Sequence, residues 1–372
     1  MSRKKAPESA DNIARPHTIK KFDLIEAYVK AWAQKLIHYP KCNGIVFIDC
    51  MCNSGVYKDD TGKAVFGTPI RVANYLSELM NTYPDKQAWC FLNDLSAEKI
   101  EILKLHLPAN TKNFHIVTRT DDGNALLKAI TIPSHLQVHS LLVYDPYTAS
   151  IDWEALIPFI RKWCDVIINH MVSDSIRGVS QAKSNAAVEK YEQTYFTSIQ
   201  ELATFGSNRE AYEKRVLEIM AELRGRPNNR YYIASFPFFN TRNALVYNLI
   251  FGSSSIEGFN LFKKTAWQTF GGKSSLKDTR GTENQLILDM TGEGLITTKT
   301  DEYCYYLQDI AKYLQDKFKG RANVPFDEIW GELDEHPVFP SEGYKPQIKN
   351  ELKVAYGNTI SRSSISFTDR SF

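Results

Sequence analysis

Residues 44–55 read Gly-Ile-Val-Phe-Ile-Asp-Cys-Met-Cys-Asn-Ser-Gly. Positions 45–48 form an unbroken apolar run rich in β-branched residues, the pattern of a strand buried on both faces. The run ends in an acid, Asp49, and opens into a turn of small residues that closes on Gly55. In an open α/β sheet, a strand leading into such a turn is where backbone comes close enough to touch a nucleotide-like ligand. Two or three glycines usually build that turn. Here Gly55 alone remains, and Asn53 stands where an earlier glycine is expected. Asparagine tolerates left-handed dihedrals better than other non-glycine residues, so the turn can persist. The bland reading of the same residues is an ordinary strand-to-loop turn.

Working outward, the same rhythm repeats. Upstream, Phe22, Ile25, Tyr28, Val29, Trp32 and Leu36 recur at spacings of three and four, which predicts a helix over 17–37 with Thr18 as its cap. Downstream, a loop over 50–66 leads to Thr68 as N-cap and Pro69 at the first helical position of a helix reaching about Met80. A strand over 88–93 ends at Asp94, and Ser96 caps a helix to Leu105. A strand over 114–118 precedes Asp121-Asp122-Gly123 and a helix over 124–130. A strand over 140–144 gives onto Asp145-Pro146-Tyr147, followed by a helix over 152–163 and a strand over 165–169. Strands alternating with helices imply a mostly parallel sheet covered on both faces. Residues 178–228 read as a helical insertion. The runs 230–239 and 244–251, joined by Asn240-Thr241-Arg242-Asn243, then read as an antiparallel pair, with a helix over 256–270.

Five alternating strands followed by a hairpin outline an α/β fold of Rossmann type. It is that of a class I methyltransferase: a mostly parallel seven-stranded sheet with a terminal antiparallel hairpin, over residues 17–270. Residues 1–16 read as a flexible leader and 271–280 as a linker rich in breakers. In 281–372, helices over 301–318, 325–333 and 345–356 and a β-prone run at 360–367 suggest a winged-helix-like domain.

The chain has 372 residues, 43% of them hydrophobic, and a formal net charge of +2. That supports a full core and leaves nucleic-acid binding to local basic patches. The six cysteines form no compact framework, and several lie in apolar runs, which fits a reducing compartment. No second Cys or His pair at ligand spacing supports a metal site. The first residues lack a signal peptide's apolar stretch, and no run is long enough to span a membrane, so a cytoplasmic protein is expected.

The acids at the strand ends carry the candidate chemistry. Asp49, Cys52, Asn53 and Gly55 belong to the first turn. Asp94 ends the second strand, where a carboxylate can take both hydroxyls of a ribose. Asp122 can meet an adenine amino group, although a plain Asp-Gly turn reads equally well. Asp145-Pro146-Tyr147 follows the fourth strand. Amino-directed methyltransferases carry Asp/Asn-Pro-Pro-Tyr/Phe there: carboxylate and carbonyl accept from the substrate amine and the ring stacks on a flat base; this chain has a single proline, a partial match, and a lone Asp-Pro-Tyr also reads as a plain turn. Asn169, ending the fifth strand, and Arg177 can touch substrate, phosphate included. His170 reads as structural.

These blocks, with His17-Thr18, Lys20, Gly67-Thr68-Pro69, Tyr247-Asn248-Leu249-Ile250-Phe251, Gly258 and Lys263, resemble the three-Cys-motif partner proteins over about 16–270. The resemblance implies a methyltransferase-like domain, often with a C-terminal winged helix, and a partner protein that carries the three cysteines and resembles a radical-SAM enzyme. The family usually has Ala-Gly-x-Gly where this chain has Cys52-Asn53-Ser54-Gly55, and often glycine where it has Thr148. Together the residues predict an S-adenosylmethionine-dependent methyltransferase acting on an amino group, in nucleic acid. The rival expectation is a catalytically degenerate module that binds nucleic acid or the radical-SAM-like partner.

Overall fold

The structure, a computed structural model, describes residues 12–132, 137–146, 148–225, 230–277 and 303–370. The run that opens the sequence argument is strand β1 (Gly44–Asp49), buried along its whole length. Its side chains alternate between two layers: Ile45 and Phe47 join one apolar cluster, Val46 and Ile48 the other. This is the period-two consequence of a strand covered on both faces. Next come two short strands, β2 (Val56–Lys58) and β3 (Ala64–Phe66), paired antiparallel. They correct the expectation of a plain loop over 50–66; alternation too brief to register as strands is stabilised here by pairing.

β1 lies between β4 (Gln87–Asn93) and β6 (Val138–Tyr144), parallel to both, with Asp49 opposite Leu92 and Val143. β5 (Phe114–Arg119) pairs in parallel with β4, and β7 (Cys164–His170) with β6. β9 (Leu245–Ser253) runs antiparallel to β7, and β8 (Tyr232–Phe239) antiparallel to β9. The order is β5-β4-β1-β6-β7-β9-β8. The chain reverses its direction of travel across the sheet between β1 and β6. The crevice beyond their carboxyl ends is therefore the topological switch point, where open α/β sheets bind ligands.

One face carries α1 (Pro16–Ile37), α2 (Thr68–Thr82), α3 (Ala97–Lys104) and α10 (Ile256–Thr269). The other carries α4 (Gly123–Ala129), α5 (Trp153–Ile160), α6 (Val172–Gln181), α7 (Asn185–Tyr195), α8 (Ile199–Phe205) and α9 (Arg209–Arg224). Two caps differ from expectation. α1 starts at Pro16 with Arg15 as N-cap, so Thr18 lies inside the helix; proline at the first position fixes φ without needing a cap. α2 has Gly67, not Thr68, as its N-cap. At the amino edge of the sheet, buried Asp165 ties the layers together: Tyr28 donates to it at 2.7 Å, Ser253 at 2.5 Å, and His139 Nε2 lies 3.3 Å away.

The C-terminal part runs α11 (Leu307–Phe318), β10 (Val324–Pro325), α12 (Phe326–Glu335), α13 (Lys345–Tyr356), β11 (Thr359–Ile360) and β12 (Ser364–Ser366). Its small antiparallel sheet is ordered β10-β12-β11. α11 begins at Leu307 rather than 301, because the Asp309 carboxylate accepts the Tyr306 N–H at 2.7 Å and closes the helix there. These helices share the apolar cluster of α1 and α10. Lys263 on α10 donates to the carbonyls of Leu333, Asp334 and His336 at 2.7, 3.1 and 2.8 Å. Among the described residues no helix is long and apolar enough to cross a membrane.

Candidate active site at the carboxyl edge of the sheet

Asp49 ends β1 at the switch point and is only 3% exposed. One oxygen accepts the Met51 N–H at 3.2 Å. Burial raises its pKa to about 7 and the charge of Asp145 pushes the same way, against the Met51 N–H and Lys21. The following turn holds two left-handed residues, Asn53 at φ 57° and Gly55 at φ 66°. Asparagine thus occupies the dihedral region in which glycine is usual. Its Oδ1 accepts from the Ser54 N–H at 2.7 Å and from Asn12 Nδ2 at 2.9 Å. At Gly55 a Cβ would stand 2.9 Å from two carbons of Ile70, so backbone and α2 are in close contact. Cys52 is buried; burial holds its thiol far above the ordinary range, so it packs rather than reacts.

Asp94 follows β4. Its two oxygens accept the N–H groups of Asn53 and Ser96, each at 3.0 Å, linking the first turn to the start of α3. Asp122 is the exposed N-cap of α4, a role neither sequence reading named, and its Oδ1 accepts the Ala125 N–H at 2.9 Å. Asn93, which sequence reasoning passed over, clamps both loops. Its Nδ2 donates to the carbonyls of Cys50 (3.0 Å) and Asp121 (2.9 Å), and its Oδ1 accepts the Asp121 N–H.

Asp145 follows β6, next to β1. Lys21 Nζ lies 2.5 Å from one oxygen, and Asn169 Nδ2 donates to the other at 2.5 Å. The Asp145 side chain is 30% exposed while that of Lys21 is 9% exposed, so the ammonium grips the carboxylate from the protein side and leaves it an open edge. Asn169 Oδ1 is buried and finds no partner among the described residues. Pro146 is buried; Tyr147 lies outside the described residues. Tyr247 packs beneath Lys21, whose Nζ is 5.3 Å from its ring centroid. Burial, then the charges of Asp145 and Asp49, push the Tyr57 hydroxyl pKa upward, so Tyr57 faces the same edge.

The structure therefore brings Asp49, Asn53, Gly55, Asp94, Asp145 and Asn169 to one edge. Arg177 makes its ion pair with Asp174 on the solvent side of α6, 73% exposed, and forms no bond to Asp145, Lys21 or Asn169. His170 is buried, shares a 2.9 Å hydrogen bond with the Tyr195 hydroxyl and is pushed down to about 4 by burial, the state of a structural neutral imidazole. Lys21, missed from sequence, had a signal: it stands four, seven and eleven residues before Ile25, Tyr28 and Trp32, a cation inside the apolar stripe of α1.

No family model matches the chain, and no curated protein matches its sequence. Among solved structures, protein LPL1258 of Legionella pneumophila str. Philadelphia 1 is similar at 13% identity and a TM-score of 0.39, covering 70% of this chain and 94% of that one. A loganic acid methyltransferase with SAH is similar at 11% identity and a TM-score of 0.30, covering 68% and 83%. The methyltransferase CalO6 is similar at 10% identity and 0.25, covering 63% and 66%. The chain's own strand order, with β9 the single reversed strand of the seven, defines the fold. By that order, the chain has a class I methyltransferase-like fold.

Proposed function

We propose that this chain is an S-adenosylmethionine-dependent methyltransferase whose acceptor is an amino group of a nucleic-acid base. The observation that carries the reading is Asp145-Pro146 at the carboxyl end of β6, beside the switch point, with its carboxylate held between Lys21 and Asn169. The turn beside it fits the cofactor. Gly55 presents backbone without Cβ bulk, Asn53 holds the turn in the same left-handed region, and Asp49 is a buried acid with one backbone donor among the described residues, a natural seat for the cofactor's α-ammonium. Asp49, Cys52, Asn53, Gly55, Asp94 and Asp122 would hold it. Bound there, S-adenosylmethionine supplies a methyl group on an already reactive sulfonium. The work of the chain is orientation. Asp145 and the Pro146 carbonyl accept the amine's two N–H bonds and thereby aim its lone pair. Lys21 and Asn169 keep the carboxylate from rotating, and Asp145 is the nearest acceptor for the proton the amine sheds. Tyr147 is the proposed stacking partner of the base.

The order helix, strand, helix, helix, strand, strand from α11 to β12 supports a winged helix. The resemblance to the three-Cys-motif partner proteins supports a radical-SAM-like partner. Six buried free cysteines support a cytoplasmic setting. The rival, a degenerate binding module, draws on Asp94, whose two oxygens already accept backbone N–H groups.

Calorimetric titration with S-adenosylmethionine and S-adenosylhomocysteine separates the two. Micromolar binding, weakened roughly tenfold or more in Asp94→Ala, is expected; no binding at millimolar ligand leaves the rival standing. Asp145→Ala should abolish methyl transfer to an oligonucleotide and spare cofactor binding. Loss of cofactor binding in that variant, with the fold intact, would overturn the role given to Asp145.

A further inference from the structure

A cleft of about 500 Å³ has a polar lining of Arg15, His17, Asp60, Asn240, Thr241 and Arg242. Three separate elements build it: the start of α1, the β2–β3 turn and the β8–β9 turn. It is linked to the proposed acceptor site through α1 and Tyr247. His17 precedes Lys21 by one helical turn, and the Tyr247 hydroxyl under Lys21 donates to the His17 carbonyl at 3.1 Å.

We propose that this cleft binds a phosphodiester of the acceptor strand, and so fixes the position of the base relative to Asp145. Four observations carry it. Arg15 and Arg242 are exposed and make no ion pair among the described residues, leaving two guanidinium forks for phosphate oxygens. The cleft lies at the N-terminus of a 22-residue helix with no side-chain cap and no acid in its first turn, so the positive end of the helix dipole faces the cleft. His17 is 8% exposed, yet neither ring nitrogen has a hydrogen-bond partner among the described residues; Nδ1 is fully buried. A buried polar ring left unpaired beside a basic cleft is costly unless a ligand completes it. Finally, Asn240 Oδ1 accepts the N–H groups of Arg242 and Ala244 at 2.9 and 3.0 Å, which fixes the turn that carries Arg242. Two arginines against the single acid Asp60 leave one net positive charge, matching the single charge of an internal phosphodiester better than the double charge of a terminal phosphate.

The identity of the phosphate's owner rests on the methyltransferase reading; the affinity of the cleft for phosphate does not. The test is fluorescence anisotropy with a labelled single-stranded oligonucleotide of about twelve nucleotides, whose unstacked bases suit both site and chemistry. It is titrated over a range of KCl against wild type, Arg15→Gln, Arg242→Gln and the double variant, with 5′-AMP as competitor. Each substitution should weaken binding several-fold, and the double variant should flatten the log–log salt slope by about 0.7, the share of one phosphate. Melting temperature and S-adenosylmethionine affinity should stay unchanged. Unaltered affinity and slope in the double variant overturn the proposal, as does a wild type that fails to bind at low salt. Displacement by 5′-AMP at equal phosphate concentration assigns the cleft to a terminal phosphate and overturns the phosphodiester assignment. Arginine-dependent oligonucleotide binding in a protein that binds no S-adenosylmethionine supports the cleft and sinks the methyltransferase reading alone.

Discussion

Two buried groups of opposite charge, one at the sheet edge and one in the middle of α10, are both driven to a pKa of about 7. Asp49, at the carboxyl edge of the sheet, is raised there by burial and by Asp145; Lys263, under the C-terminal helices, is lowered there by burial, against the pull of Asp334. Their surroundings separate them. Lys263 donates to three carbonyls at the C-terminus of α12, which satisfies all its protons. Among the described residues, Asp49 accepts a single backbone N–H and faces a second carboxylate. A displaced pKa therefore does not by itself mark a functional site. A displaced pKa on a group left short of partners does, because the structure then carries an electrostatic cost that a ligand can relieve.

The largest expected effect breaks the satisfied side of this comparison. Lys263→Met keeps the side-chain length but leaves three carbonyls at a covered helix end without a donor, which should cost about 3–5 kcal/mol. The urea midpoint should drop accordingly, with protease cutting between α10 and α11 appearing well below the global midpoint. A loss under about 1 kcal/mol would show that water replaces the ammonium and that the joint is wet.

Asp49→Asn tests the unsatisfied side, and the sign of its pH dependence is fixed. The folded carboxyl titrates near 7, above the value of about 4 it has in the unfolded chain. Its contribution to stability is fully present below pH 4 and is lost as pH rises through 7, a fall of a few kcal/mol. The asparagine variant should remove that slope and be the more stable protein at pH 8. The same linkage acts on the ligand. If the cofactor's ammonium rests on Asp49, affinity should improve as pH climbs toward 7, with proton release on binding below pH 7 that fades as pH passes 7, read by calorimetry in buffers of different ionisation enthalpy. A flat affinity profile with an intact slope in stability would place the ammonium elsewhere.

Much of the fold was legible because its strands are apolar runs that end in acids, each at the same sheet edge: Asp49, Asp94, Asp145 and, one element on, Asn169. Those residues report position through local pattern alone. The loop over 50–66 was opaque because β2 and β3 are three residues each and acquire meaning only when paired. Lys21 and Lys263 illustrate a signal available but ambiguous. Each lysine stands in the apolar stripe of its helix, Lys263 between Phe259 and Ala266 as Lys21 stands before Ile25 and Tyr28. Sequence shows that such a cation is buried; it does not show whether a carboxylate or a helix end receives it, since the partners lie 124 and about 70 residues away. Arg177 shows the converse: a plausible residue after a plausible strand, turned outward by the phase of α6 and paired with Asp174.

The smallest effect concerns Asn53, the residue that departs most from a glycine turn. At φ 57° a Cβ is disfavoured, so Asn53→Gly relieves backbone strain. The same change removes the Oδ1 that accepts from the Ser54 N–H and from Asn12, and frees the unfolded chain. The two effects nearly offset, and a net loss of about 1 kcal/mol is expected in urea. Asn53→Ala keeps the strain and loses the acceptor, and should cost about 2 kcal/mol. The difference between the two variants isolates the dihedral. If glycine and alanine are equally destabilising, the turn is held by the Asn12 and Ser54 contacts and not by its left-handed residue. If glycine costs nothing while S-adenosylmethionine binds as tightly as before, the side chain is dispensable, and Asn53 serves the cofactor only through the backbone that its unusual φ presents.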